Sequence, residues 1–145
     1  MNVLVDTSVW VDFFNGHRSP EAVALEGFID QEDEIATCGV VIAEFFQGLR
    51  SERSIGRLEP YFREMSCLEA SEPETYFRAA DLFRQLRRRG ITVRSTIDCV
   101  IACLAAQHGY HLLAKDRDMA LILQSGLCPV RPTPLPGSRA EAADE

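Results

Sequence analysis

The stretch Met1-Asn2-Val3-Leu4-Val5-Asp6-Thr7-Ser8-Val9-Trp10 opens the chain and decides how the rest is read. Val3, Leu4 and Val5 form a short apolar, β-branched run, the signature of a buried strand. The run stops at a carboxylate, Asp6, and two small hydroxyl residues follow. Thr7 or Ser8 suits the N-cap of a short helix carrying Trp10, Phe13 and Phe14, which ends near Asn15-Gly16.

Strands and helices keep alternating beyond this unit. Glu21 to Asp30 reads as a helix with Ala22, Leu25 and Ile29 on one stripe, and Ile35-Ala36-Thr37 as a strand. Val40 to Leu49 is expected to be helical, with further helix toward Phe62 and a short strand at Ser66-Cys67-Leu68. Ser71 and Glu74 have capping-box spacing before a helix striped by Tyr76, Ala79, Ala80, Phe83 and Leu86, which Gly90 ends. Ile97, Val100, Ile101, Leu104 and Ala105 mark a helix over Thr96 to Gln107, stopped by Gly109. His111 to Ala114 reads as a strand, Met119 to Gln124 as a helix, and Cys128-Pro129-Val130 as an edge strand, where a proline is tolerated. Such alternation implies an α/β fold with a central parallel sheet of about five strands, covered on both faces. One domain over residues 1–130 is expected, with 131–145, rich in Pro, Ala and acids, as a disordered tail.

Composition narrows the function classes. The chain has 145 residues, 46% hydrophobic and 26% charged, as in ordinary globular domains. No apolar run reaches the roughly 18 residues of a membrane span, and no signal-like segment precedes Asp6, so a cytoplasmic protein is expected. The five cysteines (Cys38, Cys67, Cys99, Cys103 and Cys128) lack C-x-x-C spacing and read as reduced thiols acting as small hydrophobes. A formal net charge of -7 means that phosphate contacts must come from a local basic patch or through bound cations.

Four acids stand where chemistry is expected. In open parallel sheets, sites form beyond the carboxyl ends of strands. Asp6 ends the first strand and Asp116 follows the His111–Ala114 strand, so two remote carboxylates aim at one sheet edge. Glu44 is the one charged residue between Val40 and Phe46, and a carboxylate on such an apolar helix costs several kcal/mol, to order of magnitude, unless paired or cation-bound. Asp98 lies in the first turn of its helix, beside small Ala102 and Ala105, which leave room for a ligand. Each acid also has a plain structural role open to it. Asp98 has the spacing to close a capping box with Ser95, Asp116 to cap the last helix, Asp6 to close a turn, and Glu44 to pair with a buried arginine. Together, oxygen ligands without matched His or Cys select hard cations, Mg²⁺ or Mn²⁺.

Four ordered segments carry a resemblance. Val3-Leu4-Val5-Asp6-Thr7-Ser8-Val9-Trp10 resembles the opening motif of PIN-domain nucleases, and Val40 to Leu49, with Glu44, their second. Thr96-Ile97-Asp98-Cys99-Val100-Ile101-Ala102 and Leu112-Leu113-Ala114-Lys115-Asp116-Arg117-Asp118 resemble the third and fourth. The compact length is similar to that of VapC-type toxins. The resemblance implies a three-layer α/β/α PIN-like fold and an endoribonuclease, the toxin of a type II toxin–antitoxin pair. It implies that Asp6, Glu44, Asp98 and Asp116 are catalytic and hold one or two Mg²⁺ or Mn²⁺ ions that activate water for attack on an RNA phosphodiester. It implies that Thr7 or Ser8 supports metal-bound water or substrate, and that a homodimer meets a cognate antitoxin. Asp118 is open to the same role as Asp116 or to that of a first-turn acid on the last helix.

Two arginine clusters flank these acids: Arg84, Arg87, Arg88, Arg89 and Arg94 before Asp98, and Arg50, Arg53 and Arg57 after Glu44. Arg87, Arg88 and Arg94 are candidates for RNA contact; a solvated helix face accounts for them equally well. Two other functions use similar parts: a housekeeping PIN nuclease in RNA maturation without an antitoxin, and a phospho-acceptor receiver module, which Lys115 suggests. Receivers need paired acids after the first strand, and here Thr7-Ser8 follows Asp6.

Overall fold

The computed structural model of the chain describes residues 1–135. In chain order it runs β1 (Asn2–Val5), α1 (Thr7–Phe14), α2 (Pro20–Asp30), β2 (Glu34–Cys38), α3 (Gly39–Gln47), α4 (Glu52–Glu64) and β3 (Ser66–Leu68). It continues with α5 (Glu74–Arg88), α6 (Thr96–His108), β4 (His111–Leu113), α7 (Arg117–Ser125) and β5 (Arg131–Pro132). The strands form one sheet in the order β3-β2-β1-β4-β5, with every neighbouring pair parallel. The expected parallel α/β architecture is therefore present.

Topology follows from chain handedness. The chain moves outward from β1 to β2 to β3, then returns past β1 to β4 and β5. Right-handed crossovers put the helices of the two outward steps on one face and those of the return on the other. Correspondingly, α1 packs on α2 and α3, whereas α6 packs on α5 and α7. The central strand is closed on both sides: Val3, Leu4 and Val5 are fully buried. Above one face Trp10, Phe14, Phe45 and Phe62 pack ring to ring, with centroids 5.1–5.7 Å apart for Trp10–Phe14, Trp10–Phe62 and Phe45–Phe62. These aromatics form core, not a base-stacking surface. Among the described residues, no helix is long and apolar enough to cross a membrane.

Three local expectations are corrected. Ser71 does not cap α5; Pro73 precedes that helix and makes no side-chain cap bond. The Ser71 hydroxyl instead accepts from Gln107 Nε2 at 2.6 Å, tying this turn to α6. The inward stripe of α5 is Thr75, Ala79, Leu82 and Leu86, while Tyr76 is exposed. A polar residue hid that stripe: Thr75 is buried because its hydroxyl donates to Gln107 Oε1 at 2.8 Å. The edge strand forms at Arg131–Pro132 rather than Cys128–Val130, because Val130 N bonds back to Cys128 O at 2.8 Å in a tight turn around Pro129. Thr133 N then donates to Leu112 O at 3.2 Å, so the first residues assigned to a tail belong to the sheet. Residues 136–145, the remainder of that tail, lie outside the described residues.

Since Leu4 is fully buried at the sheet centre, Leu4→Ala removes apolar contact and leaves a cavity. We expect a loss of about 2–5 kcal/mol in urea unfolding; a loss below about 1 kcal/mol, within the range of surface substitutions, would contradict this packing.

Candidate active site

Parallel strands end at a common edge, and the chain places acids there one by one. Val5 of β1 stands opposite Leu113 of β4. Asp6 N donates to Leu113 O at 2.9 Å, which carries the ladder one residue past β1. Asp6 thus leaves the sheet at its carboxyl edge, at the strand where the chain order reverses. Asp6 itself is the N-cap of α1, correcting the assignment to Thr7 or Ser8. Its Oδ2 accepts from Ser8 N at 3.3 Å and Ser8 Oγ at 2.7 Å. The strand passes into the helix without a linker, so the cap falls one residue earlier.

The other acids converge from three helices. Glu44 comes from α3, and its Oε1 accepts from Thr7 Oγ1 at 3.3 Å. Asp98 sits in the first turn of α6, Asp116 at the N-cap position of α7, and Asp118 in the first turn of α7. All five acids, with Thr7, Ser8 and Arg94, line one open cleft of about 400 Å³. Asp98, Asp116 and Asp118 each present a carboxylate oxygen within 4.8 Å of the other two. Helix N-termini at Asp6, Asp98 and Asp116 favour negative charge in the cleft.

Most of the plain roles do not account for these acids. Ser95 caps α6 through Ile97 N, at 3.1 Å, rather than through the reciprocal box with Asp98. Asp116 makes no side-chain cap bond. Glu44 bonds a threonine hydroxyl rather than a buried arginine. Asp6 does cap a helix while still lining the cleft. Thr7 and Ser8 both donate to carboxylates, so they orient acids. Ser8 Oγ also accepts from Lys115 N at 3.1 Å, locking β1's end to the segment after β4.

Asp118 is the residue the sequence undervalued. Its first-turn position is as expected, but its side chain is buried and faces the other acids. Its Oδ2 accepts from Arg94 N and Arg94 Nε, both at 3.0 Å. Arg94 Nη2 lies 3.4 Å from Asp116 Oδ1. The Asp-x-Asp spacing at the start of α7 was the signal: both side chains belong to one helix N-terminus.

Among the basic candidates, only Arg94 lines the cleft; Arg87 and Arg88 are exposed at the end of α5. Arg87 lies over the Phe83 ring, 6.0 Å from its centroid. Arg84 pairs with Asp81 at 3.3 Å, and Arg50, Arg53 and Arg57 are exposed. Lys115 Nζ pairs with Asp12 Oδ2 at 2.9 Å, a bracing contact between α1 and the β4–α7 segment.

Five carboxylates therefore share one guanidinium. The charge imbalance is visible in their proton affinities. Burial, then the nearby charges of Asp116 and Asp6, push Asp98 up to about 7. Burial raises Asp6 against the lowering effect of Ser8. Burial and the charge of Asp6 raise Glu44. Asp118 is the exception: the Arg94 backbone N–H, then its side chain, hold it below the usual carboxylate range. A cluster that resists full ionisation, built only from oxygen donors, fits a hard divalent cation.

The signs fix a testable pH dependence. Asp98 keeps its proton in the folded chain up to about pH 7, whereas the unfolded chain releases it near pH 4. Folding stability without metal therefore falls as pH rises between those values, then levels off. We expect Mg²⁺ to raise the melting temperature more at pH 8 than at pH 5. Arg94→Ala should lower it without metal and enlarge the Mg²⁺ gain, because the cluster loses its one cation. An equal Mg²⁺ effect at both pH values in both proteins would refute this electrostatic picture.

Residues 3–122 match the PIN domain family. Ribonuclease VapC11 of Mycobacterium tuberculosis is 33% identical over 121 residues, covering 83% of this chain and 90% of that protein. Ribonuclease VapC1 of Methanocaldococcus jannaschii is 30% identical over 115 residues, covering 79% of this chain and 76% of that protein. Among solved structures, VapBC2 from Rickettsia felis, bound to a DNA fragment from its promoter, superimposes with a TM-score of 0.65. It is 18% identical and covers 92% of this chain and 98% of its counterpart.

Proposed function

The chain belongs to the PIN-domain family, and from that membership we propose that it is a Mg²⁺- or Mn²⁺-dependent endoribonuclease, the toxin of a type II toxin–antitoxin pair. The carrying observation is the cleft in which Asp6, Glu44, Asp98, Asp116 and Asp118 face one another with a single guanidinium. The ribonuclease relatives at 30% and 33% identity support the RNA substrate, and the VapBC2 fold match supports an antitoxin partner.

In this reading Asp6, Glu44, Asp98 and Asp116 are the catalytic acids and would hold one or two cations, with Asp118 beside them. A bound divalent cation supplies Lewis acidity toward a phosphoryl oxygen and lowers the pKa of water, which makes hydroxide available at neutral pH. The chain's own residues prepare for it. Ser8 and Thr7 fix the rotamers of Asp6 and Glu44 through their hydroxyls. Asp98 would give up its proton to a bound cation, whose positive charge offsets the burial and the neighbouring charges of Asp116 and Asp6 that raise its pKa. Arg94 holds Asp118 and Asp116 from the rim, with most of its side chain in solvent, where a backbone phosphate of RNA can pair with it. Arg87 and Arg88 extend positive charge beyond the cleft as weaker phosphate contacts. A homodimer acting in the cytoplasm, silenced by its antitoxin, completes the proposal.

An RNA cleavage assay tests it. We expect cutting with Mg²⁺ or Mn²⁺, loss with EDTA, and a drop of more than about a hundredfold in Asp6→Asn or Asp116→Asn, exceeding typical losses from residues that only support metal ligands. Cleavage that persists in EDTA and in both variants would remove the metal-dependent reading.

A further inference from the structure

A second cavity lies away from the acids. It holds about 260 Å³ between α5, α6 and the segment after α7, and its lining includes Arg78, Leu82, Gln85, Cys103, Gln107 and Cys128. Two of the five cysteines, 25 positions apart in sequence, thus open onto one space. Across this space the two thiols are within hydrogen-bonding reach of each other. Cys128 is the more buried of the two and Cys103 is partly exposed.

The surroundings distinguish the two thiols. The Cys128 hydrogen bond, aided by the positive charge of Arg78, lowers the Cys103 pKa despite burial. The same bond and burial raise Cys128. The acid in the lining, Asp81, is already engaged by Arg84 at 3.3 Å and by Gln85 Nε2 at 2.5 Å. Arg78 has no ion-pair partner among the described residues and remains the cation facing the sulfurs. The remaining cysteines lack this combination: Cys67 is exposed and Cys38 and Cys99 are buried.

We propose that Cys103 and Cys128 form a hydroperoxide-reactive dithiol site that closes reversibly into a disulfide. The Cys103 thiolate attacks the terminal oxygen of the hydroperoxide. The O–O bond breaks, and the alkoxide or hydroxide leaving group takes up a proton. Cys103 becomes a sulfenic acid. The Cys128 sulfur, giving up its proton, then attacks the Cys103 sulfur and displaces water. In sum, two thiols and one hydroperoxide give one disulfide, one alcohol (or water) and one water. The new bond joins α6, which carries Asp98, to the segment leaving α7, which carries Asp118. This assignment stands independently of the nuclease reading.

The test is mass spectrometry on the full chain treated with hydrogen peroxide in the native state. We expect a loss of two hydrogens, reversed by dithiothreitol, and a tryptic link between the peptides carrying Cys103 and Cys128. In Cys128→Ser the sulfenic acid should persist on Cys103 and be captured by dimedone. In Cys103→Ser the link should vanish and peroxide should leave Cys128 unmodified. Oxidation confined to Cys67, or thiol loss without the Cys103–Cys128 link in the native chain, would overturn the proposal.

Discussion

Everything in this structure answers to the cost of holding five carboxylates around one guanidinium. At ordinary protein dielectric, neighbouring like charges oppose each other by several kcal/mol, to order of magnitude. The fold must supply that energy from elsewhere. It does so with the fully buried Val3-Leu4-Val5 of the central strand, a stacked aromatic core and an α5–α6 pair locked by the Ser71, Thr75 and Gln107 hydrogen bonds. Four of the acids stand at a strand end or helix start and Glu44 projects from within α3, so they cannot separate without breaking backbone structure. Rigidity there sustains the negative potential, and the potential makes a cation the natural occupant.

The hydroxyl and basic neighbours work within the same constraint. Ser8 gives its hydrogen to Asp6 and accepts from the Lys115 backbone, so one side chain joins two strand ends. Lys115 spends its charge on Asp12 rather than inside the cleft. Arg94 alone enters, and it binds the two acids on the α7 side. The cleft is therefore asymmetric: Asp118 is stabilised as an anion, while Asp98 is pushed toward its neutral form. Such separation of proton affinities among neighbouring acids is characteristic of functional sites.

Much of this was legible in the sequence for a physical reason. Val3-Leu4-Val5 can be little other than a buried strand, and parallel topology sends its end and that of β4 to one edge. Topology alone joins Asp6 and Asp116; Glu44 stands out as the one charge on an apolar helix, Asp98 by its small neighbours, and the resemblance of all four segments to PIN motifs implies one site. Features decided by tertiary pairing were not legible. Asp118 looks like any first-turn acid until Arg94, 24 positions earlier, is seen to turn back onto it. Thr75 looks like a surface residue until Gln107 is placed beside it. Cys103 and Cys128 follow no spacing rule, and only the packing of α6 against the segment after α7 brings their sulfurs together.

The most direct measurement of the central claim is calorimetric titration of Mn²⁺ into the full chain near pH 7, in buffers of different ionisation enthalpy. Saturable binding to one or two sites per chain should be accompanied by proton release, with both lost in Asp116→Asn. Absence of saturable binding, or binding without proton release that Asp116→Asn leaves intact, would contradict the account.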